Sequence, residues 1–294
     1  MPIPSVFPTP PERQSTLQLP DTRTLAWSEW GPVDGIPVLF CTGAAMSGSL
    51  GFSMAFLRDL DLRLIAIDRP GLGRSDPHPA KTLSSWVADI RVLLRSLARC
   101  PVLAVGFSQG APFALALAGG GLVAGLAIVS GQDELAHPDL LPRLHPEVRG
   151  MVETARADPV GFECQFAQMA SAEGLWRLII AMSGEQDRRL YESEGFGAAY
   201  RQCLEEGFAQ GSAGYARDLV NALGPWPVVE EITVPVDLWY GALDTSTVHS
   251  PDFGETLAAR LPHATRTVDP VAGGSILWTR AGDILGRLRS RVDS

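Results

Sequence analysis

The chain has 294 residues, 46% of them hydrophobic and 19% charged, with a formal net charge of −9. That length and apolar content suit a large globular domain able to build its core without staples. Acidic residues are scattered and no basic stripe is present, which argues against nucleic-acid binding, and no apolar stretch is long enough to cross a bilayer. Cys41, Cys100, Cys164 and Cys203 lie far apart with no C-x-x-C pair, so reduced thiols are expected rather than a disulfide scaffold or zinc site.

Met1 to Gln14 is rich in proline and polar residues and lacks the basic and apolar regions of a signal peptide, so a cytoplasmic location is expected. Leu17-Gln18-Leu19 and Leu25-Ala26-Trp27 alternate and predict an antiparallel edge. Continuous apolar runs then follow at Val38–Cys41, Leu64–Ile67, Val102–Val105 and Leu126–Val129, and two more strands are expected at Val236–Tyr240 and Thr265–Val268. Apolar strands separated by helices predict an α/β fold, a mostly parallel central sheet flanked by helices on both faces. Leu83 to Leu97 sets Trp86, Ile90, Leu93, Leu94 and Leu97 on one helical face, read as core packing. Cys41, within an apolar run, is expected in the core.

Between about Gln132 and Trp226 the strand pattern stops and the sequence turns helical, for example from Gly161 to Met182. The expected organisation is an N-terminal extension (1–14), a core formed by 15–131 and 227–294, and a helical cap insertion (132–226). Phe162, Phe166, Met169, Trp176 and Met182 are candidates either to line an apolar pocket under that insertion or simply to hold it together.

Gly106-Phe107-Ser108-Gln109-Gly110 directly follows a strand and precedes the helix expected from Ala111 to Ala118. A serine there sits on a tight turn at the carboxyl end of a strand, with glycines where strand and helix nearly touch. The free N–H groups of the helix N-terminus face any negative charge that develops, and Pro112 is tolerated in the first turn.

Here the chain resembles the α/β-hydrolase superfamily, in its serine esterase and epoxide-hydrolase-like branch. Several segments in order carry the resemblance. Thr42-Gly43-Ala44 stands where the family has His-Gly-x, and Asp68-Arg69-Pro70-Gly71-Leu72-Gly73-Arg74-Ser75-Asp76 resembles its Asp-x-x-Gly-x-Gly-x-Ser loop. Gly214-Tyr215-Ala216-Arg217-Asp218 with Pro225-Trp226 resembles the end of its cap, and Gly241-Ala242-Leu243-Asp244 its acid turn. The resemblance implies Ser108 as nucleophile, Asp244 as the acid and the N–H groups of Ala44 and Gln109 as oxyanion hole. Asp133 occupies an alternative acid position and is expected at the surface.

The family's base lies on the loop after the last strand, and there this chain reads Val271-Ala272-Gly273-Gly274-Ser275, with Gly274 at the histidine's place. A serine hydroxyl needs a neighbouring base to become a nucleophile at neutral pH. Of five histidines, His78, His137, His145 and His263 are expected at the surface, and His249, five residues after Asp244, is the possible substitute base. On the assumption that the base is lost, a histidine restored at position 274 would raise turnover. Two functions follow: a serine hydrolase for a small ester or related acyl substrate with a degenerate triad, or a non-catalytic ligand-binding or interaction protein derived from one. Neither needs a cofactor or metal; the partner is a small-molecule substrate or ligand, and the oligomeric state is left open.

Overall fold

A computed structural model describes residues 8–52, 54–97 and 101–292; Cys100 lies outside the described residues. Eight strands form one sheet: β1 (Arg13–Gln18), β2 (Thr24–Trp30), β3 (Ile36–Cys41), β4 (Leu62–Ile67), β5 (Leu103–Phe107), β6 (Gly125–Val129), β7 (Val236–Gly241) and β8 (Ala264–Asp269). Their order is β1-β2-β4-β3-β5-β6-β7-β8. β1 pairs antiparallel with β2, and β2 with β4; every other pairing is parallel. The continuous apolar runs are the central strands β3, β5, β6 and β7, buried at every residue because both faces are covered. β1 and β8 form the edges and keep exposed positions. β1 starts at Arg13, inside the stretch expected as an extension, because Arg13 pairs with Glu29 in the ladder and bonds its carboxylate at 3.1 Å.

Among the described residues three α-helices precede β6: α1 (Met54–Asp59), α2 (Leu83–Leu97) and α3 (Ala111–Gly119). On α2, Trp86, Ile90 and Leu93 are buried as the spacing predicts, while Leu94 and Leu97 are half-buried. Asp89, also buried on α2, receives two bonds from Arg23, at 2.9 and 2.8 Å. α3 is apolar on all sides and buried from Ala111 to Ala118, as a helix enclosed beneath the sheet must be.

From Val129 to Val236 the chain is helical: α4 (Pro146–Ala157), α5 (Pro159–Met169), α6 (Ala172–Met182), α7 (Glu185–Tyr191), α8 (Glu194–Gly207) and α9 (Ala213–Leu223). Gly161 to Met182, expected to be helical, runs through α5 and α6. Ala170 is extended, and Ser171 opens α6 by accepting the Gly174 N–H on its hydroxyl at 3.1 Å. The chain ends with α10 (Glu255–Arg260), α11 (Ile276–Thr279) and α12 (Ala281–Ser290). No helix among the described residues is long and apolar enough to cross a membrane. Cys41 and Cys203 are buried thiols and Cys164 is an exposed one.

The parallel register aligns the strand ends that matter. Cys41 pairs with Gly106, Phe107 with Val129, and Val129 with Trp239. The segments leaving β3, β5, β6 and β7 therefore emerge together at the carboxyl edge of the sheet, under the helices that follow β6.

Candidate active site

Ser108 follows β5 at φ +50°, a conformation rare for a residue with a side chain. The sharp turn is possible because its flanks carry no side chains. A Cβ on Gly106 would lie 2.8 Å from the Ala114 Cβ, and one on Gly110 would lie 2.0 Å from the Cys41 carbonyl oxygen. Gly106 thus admits α3, while Gly110 admits the end of β3.

The imidazole of His249 bridges the other two residues. Its Nδ1 lies 2.7 Å from Asp244 Oδ2 and its Nε2 lies 2.9 Å from Ser108 Oγ. Nδ1–H donates to the carboxylate, and the Ser108 hydroxyl donates to Nε2. The second Asp244 oxygen accepts the Ser246 N–H at 3.0 Å, which fixes the carboxylate in the turn. His249 and Asp244 are both well shielded, with side chains 12% and 5% exposed. His249 and Asp244 both lie on the loop after β7. His145 and His263 are exposed, and none of His78, His137, His145 and His263 bonds to Ser108.

At position 274 the structure places backbone and a carboxylate. The Gly274 N–H donates to Asp187 Oδ2 at 2.9 Å; the Ser275 N–H and hydroxyl donate to Asp187 Oδ1 at 3.0 and 2.6 Å. Asp187 comes from α7 and is 1% exposed. A Cβ on Gly273 would lie 2.3 Å from its Oδ2. The paired glycines therefore let the α7 carboxylate close against this loop. Nothing local in the sequence singles out Asp187, because its partners lie some ninety positions away.

The Thr42-Gly43-Ala44 turn faces Ser108 from the end of β3. Arg69 holds it, its guanidinium donating to the carbonyls of Thr42 at 2.6 Å and Gly43 at 2.9 Å. The Thr42 hydroxyl donates to the Met46 carbonyl at 2.9 Å, closing the turn where the family has histidine. Neither the Ala44 nor the Gln109 N–H donates a loop hydrogen bond among the described residues. Arg69 in turn donates to Asp218 of α9 at 2.7 Å, and Lys81 Nζ lies 2.5 Å from the other Asp218 oxygen. All three are buried; burial pushes the Lys81 ammonium below its ordinary value, and the Asp218 charge opposes that.

Asp133 is not at the surface. It is fully buried, its Oδ2 2.9 Å from the Ser250 hydroxyl. Burial pushes its carboxyl up to about 6, against the bond from the Glu134 N–H.

Ser108, Gln109, Ala44, Asp244, His249 and Gly274 all line one cavity of about 140 Å³. Of the five apolar candidates, Phe166 and Met182 line it. Trp176 packs edge-on to Tyr200, Phe162 stacks on Phe166, and Met169 is 75% exposed. The remaining walls include Tyr191, Tyr200 and Tyr215 from α7, α8 and α9. No group of three or more His, Cys, Asp or Glu among the described residues is arranged to hold a metal.

The fold is that of an α/β hydrolase. Residues 38–282 match the Alpha/beta hydrolase family, and the chain belongs to it. It is similar to the proline iminopeptidase of Neisseria gonorrhoeae, 32% identical over 111 residues, a match covering 37% of this chain and only 36% of that protein. The fold is similar to that of an esterase (EaEST) from Exiguobacterium antarcticum, TM-score 0.67 at 17% identity, covering 95% of this chain and 99% of that one. It is likewise similar to the enol-lactonase from Burkholderia xenovorans LB400, TM-score 0.69 at 17% identity, covering 95% and 100%.

Proposed function

We propose that this chain is a serine hydrolase for a small, uncharged ester or related acyl compound, acting through Ser108, His249 and Asp244. The observation that carries the proposal is the bridging imidazole, 2.9 Å from the serine oxygen and 2.7 Å from the carboxylate. In this reading Ser108 Oγ attacks the acyl carbon while its proton passes to His249 Nε2. The carbonyl oxygen becomes an oxyanion, stabilised by the N–H groups of Ala44 and Gln109. His249 returns the proton to the departing alcohol as the acyl–oxygen bond breaks. A water, deprotonated by the same Nε2, then releases the acid and restores Ser108. Asp244 orients the ring and stabilises its charged form.

The cavity walls set the substrate class. Among the described residues no lysine or arginine lines the cavity, whereas the carboxylates of Asp187 and Asp244 do, so a carboxylate or phosphate substrate meets no counter-charge there. A volume of about 140 Å³ admits a small acyl group. Relatives named as an esterase, an enol-lactonase and a proline iminopeptidase accord with cleavage of an acyl bond. The binding-only alternative rested on the lack of a base within reach of Ser108, and His249 removes that ground.

The test is labelling with a fluorophosphonate and turnover of p-nitrophenyl acetate by wild type, Ser108→Ala and His249→Ala. Labelling is expected to be stoichiometric in wild type and absent in Ser108→Ala. His249→Ala is expected to lose about a thousandfold or more in kcat. A His249→Ala protein that labels and turns over like wild type would sink the proposal.

A further inference from the structure

His249 stands on the loop after β7, and the residue beside it fixes that loop. Ser250 is 5% exposed, and its N–H donates to the Gly131 carbonyl at 3.0 Å. Its Oγ lies 2.9 Å from Asp133 Oδ2, 2.9 Å from Asp252 Oδ1 and 2.8 Å from the Gly254 nitrogen. A hydroxyl has one proton to give and two lone pairs to receive with. The Gly254 N–H takes one lone pair. The single proton cannot serve two carboxylates at once.

The bonds around each carboxylate decide which one receives it. Asp252 accepts the N–H of Glu255 at 3.0 Å and the N–H and hydroxyl of Thr256 at 3.1 and 2.6 Å, and Arg143 lies 3.5 Å away. Burial pushes Asp252 up, but bonds from Thr256, Ser250 and Glu255 outweigh it and hold the carboxyl below its ordinary value. Asp252 is therefore ionised and accepts the Ser250 proton. The contact between Ser250 and Asp133 is then a hydrogen bond only if Asp133 carries a proton and donates it. The other groups around Asp133 fit a neutral acid. Tyr240 of β7 reaches the Gly131 carbonyl at 3.4 Å, and Glu134 and Asp252 are themselves acidic. The nearby cation, Arg260 of α10, is committed to Glu134 and Glu230, at 2.7 Å each.

We propose that Asp133 and Ser250 are positioning residues for His249: a protonated Asp133 donates to Ser250, Ser250 donates to Asp252, and this chain of bonds holds the loop so that the imidazole spans Asp244 and Ser108. The proposal rests on His249 being the general base. It gives Asp133 a task other than the family's alternative acid, since Asp133 acts on the loop and never touches the ring. Removal of the Asp133 proton leaves two carboxylates around one hydroxyl proton, and the clamp loosens as pH rises.

The experiment measures the rate at which a fluorophosphonate labels Ser108 in the full chain, from about pH 5 to about pH 8. Ser250→Ala is expected to slow labelling about tenfold, and Ser250→Thr to recover most of the rate by restoring the hydroxyl. Asp133→Asn keeps the carbonyl for the Glu134 N–H and offers a permanent N–H to Ser250. It is expected to match wild type near the acid end and to exceed it several-fold near the alkaline end. A purely structural Asp133 would give a ratio independent of pH. A flat ratio, or Ser250→Ala labelling at the wild-type rate while His249→Ala is inert, overturns the clamp and leaves the triad standing. If His249→Ala labels normally, the triad fails and the clamp with it. Should Ser250→Ala lose its near-ultraviolet circular dichroism, the Asp133→Asn ratio decides alone.

Discussion

Restoring a histidine at position 274 now has the opposite expected sign from the one the sequence suggests. A Cβ on Gly274 would lie 3.0 Å from Asp244 Oδ1, 3.2 Å from its Cγ and 3.3 Å from its Oδ2. Gly274 does not have a positive φ, so the backbone accepts a side chain and the effect is confined to this contact. The carboxylate must shift by a few tenths of an ångström, and it is the group that holds His249 Nδ1 at 2.7 Å. Misplacement of about 1 Å can cost about a hundredfold in rate, so Gly274→Ala should lower kcat by several-fold. Gly274→His adds a ring to a cavity of about 140 Å³ and should lower kcat by roughly ten- to a hundredfold. KM should change less than kcat in Gly274→Ala, because Asp244 acts through the imidazole rather than on the substrate. The assay is p-nitrophenyl acetate turnover, with circular dichroism as the check on folding. Turnover in folded Gly274→His equal to or above wild type would refute the reasoning and return the base to the loop after β8.

Two further outcomes concern stability. Asp218→Ala leaves Arg69 and Lys81 buried without their shared carboxylate, at a cost of about 3–5 kcal/mol, less whatever Lys81 recovers by shedding its proton. A midpoint drop of roughly 10 °C in thermal unfolding is expected, and a change within about 2 °C would mean the cluster is not structural. Asp133 is raised from 3.8 to about 6 in the fold, so the native state binds the extra proton. Its contribution is full below about pH 4 and is lost as pH rises to about 6, roughly 3 kcal/mol in all. Urea unfolding across that window should show wild type losing stability relative to Asp133→Asn, and parallel curves would contradict the assignment.

What was legible in the sequence was what chain-local patterns encode. Ser108 and Asp244 each follow an apolar strand in a short turn, and the glycines around Ser108 are demanded by contacts within a few ångströms of that turn. His249 could be named only by nearness to Asp244, because its reach to Ser108 spans 141 positions. Asp133 was expected at the surface. It is buried against Ser250, whose N–H donates to the Gly131 carbonyl just after β6. Asp187 and Arg69 act through carbonyls and N–H groups of distant loops, and such partners leave no trace in spacing. The helical character of Gly161 to Met182 was legible, and the break within it falls at Ala170 and Ser171.

The loop that carries the proposed base also changes what its presence depends on. β8 is an edge strand with exposed positions, bonded only to β7, and edges of sheets open more readily than their interiors. A base carried beyond such a strand would be withdrawn whenever the edge frayed. In this chain Asp244 and His249 both follow β7, which has a neighbour on each side, so opening of the last strand would cost their loop the Arg266 bonds to the Phe253 and Asp252 carbonyls without carrying either residue away.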